Sequence, residues 1–365
     1  METISFARGI PAPECLPSAD LADCARAAIE RDGSTVLNYG PGGGYEPLRG
    51  WLAERHRVEP ERIVLTNGSL QGFLFLANCL ARRGPVLVEA PTYDRPLKLL
   101  EAMGAEVLSV PLDDEGLDVD SLESILRAGL RPSFLYTIPT FQNPSGRTLS
   151  KARRRRLVRL ARQHDLLLVE DDPYGLVRFE GQALPTLFEL DGGANVVYGS
   201  SFSKTVAPGL RVGYLVLPPG LASEVEAEAT STYITPALLP QATTHEYLER
   251  GLFEGNLART REALQIRRDT MLGALARELP DARWSTPAGG YFLWLELPEG
   301  IWTEHVAARA QAAGVTFVPG SDFFLGGGGG EGALRLAYSL ASPAEIDEGV
   351  TRLASAIGCS LRSAA

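Results

Sequence analysis

The middle of the chain alternates short apolar runs with longer amphipathic stretches, and this pattern limits the possible folds more than any other feature. Each short run is rich in β-branched or aromatic residues and ends at turn-forming residues, which predicts a buried strand. The runs lie at residues 63–66, 85–89, 106–110, 134–138, 166–170, 196–199 and 213–217. Helical patterns such as 71–82 and 151–164 separate many of them. This alternation predicts a large α/β domain with three αβα layers, in which helices cover both faces of a mostly parallel sheet.

The pattern changes after Pro218 and predicts a second, smaller α+β domain. A long helical stretch covers residues 239–279, and further strands and helices follow at 291–297, 303–313, 333–338 and 343–357. A chain of 365 residues is also long for a single hydrophobic core. We therefore divide it into an N-terminal arm with part of the small domain (1–38), a large domain (39–250) and a C-terminal small domain (251–365).

The composition argues against several kinds of partner. The formal net charge is −10, whereas nucleic-acid binding requires a basic surface. No apolar run approaches the roughly 18 residues of a membrane span, and the first residues lack the pattern of a signal peptide. The four histidines and four cysteines lack the spacing of a metal site or a disulfide framework. These features predict a cytoplasmic protein without metal, nucleic-acid or membrane partners.

Lys204 lies in the segment Ser201-Phe202-Ser203-Lys204, shortly after a predicted strand. A lysine that forms a Schiff base must lose its charge near neutral pH, which requires a protected pocket. The two serine hydroxyls, together with Arg211, are suited to holding a phosphate group, because arginine offers a planar fork of donors. Taken alone, the short motif is equally compatible with a lysine on a surface loop.

Three further turns also follow predicted strands and carry polar groups. Asp171 offers a carboxylate that suits a protonated pyridine nitrogen, although a strand-end acid in a turn would look the same. Asn143 precedes a proline and can donate to a phenolate oxygen, although Asn-Pro is also a common turn. Gly68 and Ser69 open a helix, whose first N–H groups either bind phosphate or are simply capped.

The four turns together are far more specific than any one of them. A phosphorylated pyridine aldehyde has a phosphate, a ring nitrogen, a phenolate oxygen and an aldehyde, and each turn suits one or two of these groups. Ligands of open α/β sheets bind outside the carboxyl ends of the strands. The sequence therefore predicts one pyridoxal 5′-phosphate site formed by all four turns.

The sequence also resembles a known family, the fold-type I pyridoxal-phosphate enzymes of the class I/II aminotransferases. Its most specific segments are GSSFSKTVAPGLRVGYL, PTFQNPSG, EDDPYG and GGYFLWLELPEG, and the similarity extends from Phe6 to the final helix. It is greatest with the branch of 2-aminoadipate, aromatic and branched-chain aminotransferases. The resemblance implies an enzyme that moves an amino group between an amino acid and a 2-oxo acid by a ping-pong mechanism.

The resemblance implies a role in cofactor binding for each matching residue. Lys204 would carry pyridoxal phosphate and would move the proton between the substrate Cα and the cofactor. Asp171 would pair with the pyridine nitrogen, and Tyr93 would stack on the ring. The other contacts would come from Asn143 and Tyr174 to the ring hydroxyl oxygen, and from Gly68, Ser69, Leu70, Ser201, Ser203 and Arg211 to the phosphate.

The resemblance also implies how substrate and partner subunit contribute. Arg335 would bind the substrate α-carboxylate with the help of Gly9 and Asn143. Tyr39 would reach the phosphate in the neighbouring subunit, which implies a homodimer. The similarity is not complete, because Leu70 stands where this branch often has glutamine.

Two other departures from the family pattern concern the substrate pocket. Arg8 stands where a glycine is frequent, and Tyr291 replaces a common methionine. Both are predicted to line the pocket for the substrate side chain. Arg8 would either bind a distal carboxylate or point to solvent, and the sequence leaves this choice open.

Two alternative functions use the same sequence features. The first is another reaction on the same cofactor, catalysed by a β- or γ-lyase, a decarboxylase or an oxidase. The second is the ligand-sensing domain of a transcription factor, which would require a preceding winged-helix segment, whereas the aminotransferase pattern begins at Phe6. The cationic run 151–156 is predicted to be a solvated helix face, because Leu157 and Leu160 give that helix an apolar stripe.

Overall fold

A computed structural model describes residues 2–364, with side chains described through residue 358. The strands are β1 (Ile4–Ser5), β2 (Ile63–Thr66), β3 (Val86–Ala90), β4 (Val107–Asp113), β5 (Gly116–Leu117), β6 (Phe134–Thr137), β7 (Leu168–Asp171), β8 (Val196–Ser201), β9 (Gly213–Val216), β10 (Arg283–Trp284), β11 (Phe292–Glu296), β12 (Val315–Thr316), β13 (Val318–Pro319) and β14 (Ala333–Ala337). The helices are α1 (Ser18–Val36), α2 (Glu46–His56), α3 (Ser69–Leu80), α4 (Asp94–Ala102), α5 (Val119–Arg127), α6 (Lys151–His164), α7 (Leu187–Asp191), α8 (Leu221–Tyr233), α9 (Leu238–Glu249), α10 (Leu252–Glu278), α11 (Thr303–Ala312) and α12 (Pro343–Ala364).

The largest sheet has eight strands in the order β2-β9-β8-β7-β6-β3-β4-β5. The pairings between β8, β7, β6, β3 and β4 are all parallel, whereas β9 runs antiparallel to both β2 and β8. Every residue of β2, β6, β8 and β9 is buried, which is the pattern of strands covered on both faces. The prediction of an α/β fold with a mostly parallel sheet is confirmed.

The sheet topology brings the predicted functional turns to one edge. Strands β3, β6, β7 and β8 run in the same direction, so the loops that follow them leave the sheet on the same side. Strand β2 also points this way, because it is antiparallel to β9, which is itself antiparallel to β8. The turn between β2 and α3 therefore meets the other loops, although its strand lies at the far end of the sheet.

The C-terminal part forms a second sheet of four antiparallel strands in the order β10-β11-β14-β13. Helices α10 and α11 both pack on α12. The N-terminal arm joins this part, since β1 pairs in parallel with β12. Phe6 is fully buried there, and its ring lies against Gly349, where an added Cβ atom would come within 2.5 Å of it. The three-part division at residues 38 and 250 stays a prediction.

The described residues contain no disulfide, membrane-spanning helix or cluster of metal ligands. Cys15, Cys24 and Cys79 are free thiols, and the fourth cysteine, Cys359, lies outside the described side chains. Within residues 2–364, no helix has both the length and the apolar character needed to cross a membrane. In the same part of the chain, no group of three or more His, Cys, Asp or Glu side chains is placed to hold a metal ion.

One prediction about helices was wrong, and one helix was missed. The long helix predicted at 239–279 is two helices, α9 and α10, separated at Gly251, which has a positive φ of 68°. Glycine reaches this left-handed conformation without the steric cost that a side chain brings, so the chain turns there. Helix α8 was not predicted at all.

The cationic run on α6 was predicted to be a solvated helix face. This is wrong for Arg154, which is fully buried. Its guanidinium donates to the carbonyl oxygens of Leu149 and Pro139 and to the hydroxyl of Thr140. Buried arginine is tolerated when its donors are satisfied in this way. Arg154 therefore anchors the start of the loop that carries Asn143, which is a structural role within the large sheet.

Candidate active site

The loops at this edge of the sheet surround a cavity of about 470 Å³. Twelve of the predicted site residues line it: Gly9, Ser69, Leu70, Tyr93, Asn143, Asp171, Tyr174, Ser201, Ser203, Lys204, Arg211 and Arg335. Gly68 lies beside this wall, where an added Cβ atom would come within 2.2 Å of the Arg211 side chain. The fold thus brings residues from five strand ends and the N-terminal arm into one cavity.

Lys204 is held between the N-terminal arm and the small domain. Its Nζ donates to the carbonyl oxygen of Gly9 at 2.5 Å and lies 5.2 Å from the centre of the Tyr291 ring. The Tyr291 hydroxyl donates to the Lys204 carbonyl oxygen at 2.9 Å and so fixes the backbone. Burial, followed by the positive charges of Arg335 and Arg211, lowers the pKa of Lys204 to about 8. A buried amine of lowered pKa is the form of lysine that acts as a nucleophile near neutral pH.

The lowered pKa of Lys204 predicts how cofactor attachment depends on pH. We expect the rate at which pyridoxal phosphate attaches to the cofactor-free protein to rise as the pH passes through about 8, and then to level off. The neutral amine is the nucleophile, and an exposed lysine reaches this form only near its usual pKa of about 10.4. Stopped-flow absorbance of the lysine-bound cofactor measures this rate. A rate that keeps climbing to about pH 10 would contradict the assignment.

Asp171 is the last residue of β7, and its two carboxylate oxygens have different surroundings. Oδ2 accepts a hydrogen bond from the Tyr136 hydroxyl at 2.7 Å. Oδ1 is buried and has no partner among the described residues. Burial, followed by the nearby charge of Asp172, raises the pKa of Asp171 to about 6. A buried carboxylate oxygen without a partner is costly, so it marks a place where a ligand donor is required.

The phosphate end of the cavity consists of the start of α3, Ser201, Ser203 and Arg211. The first N–H groups of a helix have no acceptor within the helix, and they bind anions together with the helix dipole. The start of α3 packs closely against Gly213 of β9. A side chain at this position would prevent that contact, because its Cβ atom would lie 2.4 Å from the Ser69 nitrogen. The hydroxyls of Ser201 and Ser203 are 2.8 Å apart, and Arg211 Nη1 lies 3.4 Å from the latter.

Arg335 lies on β14 and is 7% exposed. Nη1 donates to the Asn143 side-chain oxygen at 2.9 Å, and Nη2 donates to the carbonyl oxygen of Ala7 at 2.7 Å. Its Nε is buried without a partner, and no carboxylate lies within 4.0 Å among the described residues. The guanidinium also stacks over Phe292 at 4.2 Å. A buried cation that has donors to spare and no counter-ion is suited to binding an anionic ligand.

Besides Gly68, three predicted site residues do not line this cavity. Arg8 is exposed on the N-terminal arm. Tyr291 is fully buried behind Lys204. Tyr39 is 75% exposed and lies on a separate surface groove with Asn67 and residues 235–240.

Sequence reasoning missed two residues that shape the site. Tyr136 bonds Asp171, and Phe292 packs on Arg335 while also limiting the space at Gly9. A signal for Tyr136 was present, because a phenol in an otherwise apolar buried strand needs a polar partner. Phe292 carries no such chemical signal, although it lies in the segment GGYFLWLELPEG that resembles the family.

The residues of the cavity fit pyridoxal phosphate. The unpartnered Oδ1 of Asp171 suits the protonated ring nitrogen, and the start of α3 with Arg211 suits the phosphate. The Lys204 amine lines the same cavity and suits the aldehyde. Three groups with free hydrogen-bonding or nucleophilic capacity thus match three functional groups of one molecule.

Known proteins support the same conclusion. The family model described as aminotransferase class I and II matches residues 14–353. A 2-aminoadipate transaminase of Thermus thermophilus is 41% identical over 97% of this chain and 90% of its own length. Aromatic-amino-acid aminotransferase 1 of Thermococcus litoralis is 36% identical over 98% of this chain and 88% of its own length.

The similarity extends to solved structures. The crystal structure of α-aminoadipate aminotransferase from Thermus thermophilus, complexed with N-(5′-phosphopyridoxyl)-L-leucine, superposes with a TM-score of 0.94 and 39% identity. The match covers 99% of this chain and 93% of that one. The chain belongs to the class I and II aminotransferases. It is a pyridoxal-phosphate-dependent aminotransferase, and transfer of an amino group is therefore favoured over lyase, decarboxylase or oxidase chemistry.

Proposed function

We propose that the cavity residues act in amino transfer between an amino acid and a 2-oxo acid, with two half-reactions in a ping-pong sequence. The observation that carries this proposal is that Arg335 is buried, has no carboxylate partner among the described residues and keeps a free donor at Nε. Its guanidinium therefore offers a fork of donors to an α-carboxylate. When bound, pyridoxal phosphate supplies a ring that withdraws electrons from the substrate Cα. The remaining contributions come from the side chains of this chain.

Lys204 has two tasks in this proposal. Its amine, with a pKa of about 8, is available as a nucleophile at moderately alkaline pH and attaches the cofactor. When it is not bound to the cofactor, the Lys204 amine would accept the proton from the substrate Cα and deliver it again, as a general base and acid. Release from Gly9, which accepts its hydrogen bond, gives the side chain the freedom for this movement.

The other residues orient the reacting groups. Of the residues that would hold the cofactor, Asp171 would pair with the ring nitrogen, Asn143 and Tyr174 would bind the ring hydroxyl oxygen, and Tyr93 would cover the ring. The phosphate end of the cavity, together with Gly68 and Leu70, fixes the cofactor. Because Asn143 contacts Arg335 directly, it links the cofactor side of the cavity with the carboxylate-binding side.

We infer that the substrates have long apolar or carboxylate-bearing side chains. The relatives described above act on 2-aminoadipate and aromatic amino acids, and the solved structure holds a leucine adduct. The cavity wall supports this range, because it includes the apolar residues Ile138, Phe292 and Val318 as well as the cations Arg95 and Lys98.

This substrate class predicts an order of reactivity. With 2-oxoglutarate as acceptor, kcat/KM for 2-aminoadipate, leucine and phenylalanine is expected to exceed that for alanine roughly tenfold or more, because each buried methylene contributes about 0.8 kcal/mol. The loss of cofactor absorbance on mixing with each amino acid, before any oxo acid is added, measures the first half-reaction alone. Alanine as the preferred substrate would exclude the proposed class.

We propose further that the protein works as a cytoplasmic homodimer. Leu37, Tyr39 and Ile234 are exposed apolar or aromatic side chains, with 63%, 75% and 60% of their surface accessible. The groove beside Tyr39 includes Asn67, whose carbonyl oxygen accepts from Arg211 at the phosphate end of the cavity. Exposed apolar surface next to a binding site is typical of an interface, and a partner's Tyr39 would then complete the phosphate site.

Mixed dimers test the contribution of Tyr39. We expect Lys204→Ala and Tyr39→Ala to be individually impaired, and their mixture to recover about a quarter of wild-type activity, since one site of each mixed dimer is intact by symmetry. Activity assays after subunit exchange measure the recovery. As a control, Trp302→Ala, which removes an exposed aromatic residue elsewhere, leaves activity unchanged on its own. No recovery on mixing would mean that Tyr39 does not serve the neighbouring site.

A further inference from the structure

The surroundings of Asp171 point to a second residue that controls how it meets the cofactor. Its carboxylate has one oxygen bonded to Tyr136 and one oxygen without a partner. A carboxylate without fixed partners rotates about χ2, because the energy of an aspartate side chain depends only weakly on this torsion angle. The Tyr136 hydroxyl removes that freedom, because it binds one oxygen and leaves the other to the cavity.

Tyr136 is itself rigid. It lies on β6, opposite Val169 of the neighbouring strand β7, and is 1% exposed. Its ring packs edge-on against Phe73 with the ring centres 5.0 Å apart. A phenol fixed in this way places its hydroxyl accurately, because the side chain has no other low-energy position in a packed core.

We propose that Tyr136 is a positioning residue whose hydroxyl holds the Asp171 carboxylate with Oδ1 directed at the ring nitrogen of pyridoxal phosphate. This inference rests on the proposed pairing of Asp171 with that nitrogen. It adds that the pairing depends on a side chain that does not itself line the cavity.

The charges around Asp171 give the hydroxyl a second effect. Burial and Asp172 raise the pKa of Asp171, whereas the Tyr136 hydrogen bond and the charge of Lys204 lower it. Glu89 on β3, together with Tyr93 and Tyr174, faces the charge of Asp171, which adds to burial in raising the pKa of each. Loss of the hydroxyl therefore raises the pKa of Asp171 above about 6, and the carboxyl becomes neutral at a higher pH.

The chain offers a matched control on the other side of β7. Tyr198 lies on β8, is 7% exposed, and donates to Asp172 Oδ2 at 3.0 Å. The tyrosine hydroxyl binds one carboxylate oxygen, as in Tyr136 and Asp171, but the other oxygen of Asp172 accepts from Gly175 N at 2.9 Å and Asp172 does not line the cavity. Removing either hydroxyl deletes one buried hydrogen bond to a carboxylate, so the cost to folding is similar, while only one of the two carboxylates faces the cofactor.

The experiment compares Tyr136→Phe, Tyr198→Phe and Asp171→Asn in the full-length protein. After removal of the cofactor, the dissociation constants of pyridoxal phosphate and of its deaza analogue, in which C–H replaces the ring nitrogen, are measured between about pH 5.5 and 8.5. Both compounds carry the same phosphate, so the ratio of the two constants isolates the ring nitrogen. Urea unfolding of each variant measures the purely structural effect.

We call the ratio of the dissociation constant of the deaza analogue to that of pyridoxal phosphate the preference. In Tyr136→Phe, we expect this preference at pH 7 to fall roughly 3- to 30-fold. We also expect the variant to lose the preference at a higher pH than the wild-type protein does. Tyr198→Phe is expected to keep the wild-type preference, with a similar change in urea stability. If Asp171→Asn loses the preference but Tyr136→Phe keeps it, Tyr136 has no positioning role, while the proposed function stands. An equal loss in both tyrosine variants also overturns the inference. A preference unchanged in Asp171→Asn refutes the pairing itself, and the inference with it.

Discussion

Replacing Lys204 with alanine is expected to abolish the absorbance of lysine-bound cofactor and to lower turnover by at least about 10⁴-fold. Two functions are lost together in this variant, namely covalent attachment of the cofactor and proton transfer at Cα. The other lysine of the cavity, Lys98, is exposed and paired with Asp94, whereas the partly buried Lys204 has a pKa lowered to about 8. Activity assays and absorbance spectra of the purified protein measure both losses.

The sequence supplies two matched controls for this variant. The chain has only two other lysines, Lys98 and Lys151, and both are exposed. Lys98 lies at the mouth of the same cavity and pairs with Asp94 at 3.0 Å, whereas Lys151 lies on α6, away from it. Replacing either with alanine leaves the absorbance intact. Reduction of the bound cofactor with borohydride, followed by peptide mapping, then identifies which of the three lysines carries it.

The remaining contacts separate attachment from binding. In Lys204→Ala, Asp171 and Arg211 are unchanged, so the cofactor still binds without a covalent bond, and equilibrium dialysis detects it. Full activity in this variant would overturn the proposed mechanism. Loss of all cofactor binding would instead mean that Lys204 contributes most of the affinity, and that the phosphate end of the cavity contributes little.

The location of the site could be predicted from sequence because it follows from strand direction alone. Parallel strands end at one edge of a sheet, so residues that follow separate strands must meet there. Asn143, Asp171 and Lys204 are far apart in sequence, yet each comes directly after a buried run. The alternation of apolar runs and helices therefore predicted both the fold class and the neighbourhood of these residues.

The direction of individual side chains could not be predicted in the same way. Tyr291 and Phe292 are neighbours at the start of a strand, where successive side chains point to opposite faces. One lies behind Lys204 and the other lines the cavity, and a difference of one residue in register decides which. The direction of the Arg8 side chain depends on the path of the extended N-terminal arm, and sequence periodicity gives no information about that path.

Buried polar residues were the other source of error. Arg154 was assigned to a solvated face because Leu157 and Leu160 give its helix an apolar stripe. Its partners are carbonyl oxygens of loops that lie before and after the helix, including Pro139 and Pro185. These contacts exist only in the folded chain, so no local pattern contains them. For Tyr136, the sequence signals that the phenol needs a polar partner, but that partner, Asp171, lies on the next strand.

Replacing Arg335 with alanine is expected to lower kcat/KM for amino acids by about 10²- to 10⁴-fold and to leave cofactor binding intact. Its guanidinium is 7% exposed and lies over Phe292, so a substrate carboxylate would meet it largely without water. Charge-assisted hydrogen bonds are strong in such surroundings. Arg335→Lys keeps the charge but loses the planar fork, and is expected to have intermediate activity.

A control is needed because Arg335 also supports its neighbours. Its loss leaves the Asn143 oxygen and the Ala7 carbonyl oxygen without a donor, which alone would disturb the cavity. Arg127→Ala removes a comparable charge on α5, where Arg127 is exposed, lies 2.5 Å from Glu123 and does not line the cavity, and is expected to have little effect.

A substrate without a carboxylate separates the two contributions of Arg335. Phenylethylamine lacks the group that Arg335 is proposed to bind but otherwise matches phenylalanine. Wild-type protein is expected to react with the amine far more slowly than with the amino acid, and Arg335→Ala to react with the amine at about the wild-type rate. The large loss is then confined to the amino acid. If Arg335→Ala loses activity equally on both compounds, the arginine supports the cavity and does not recognise the carboxylate.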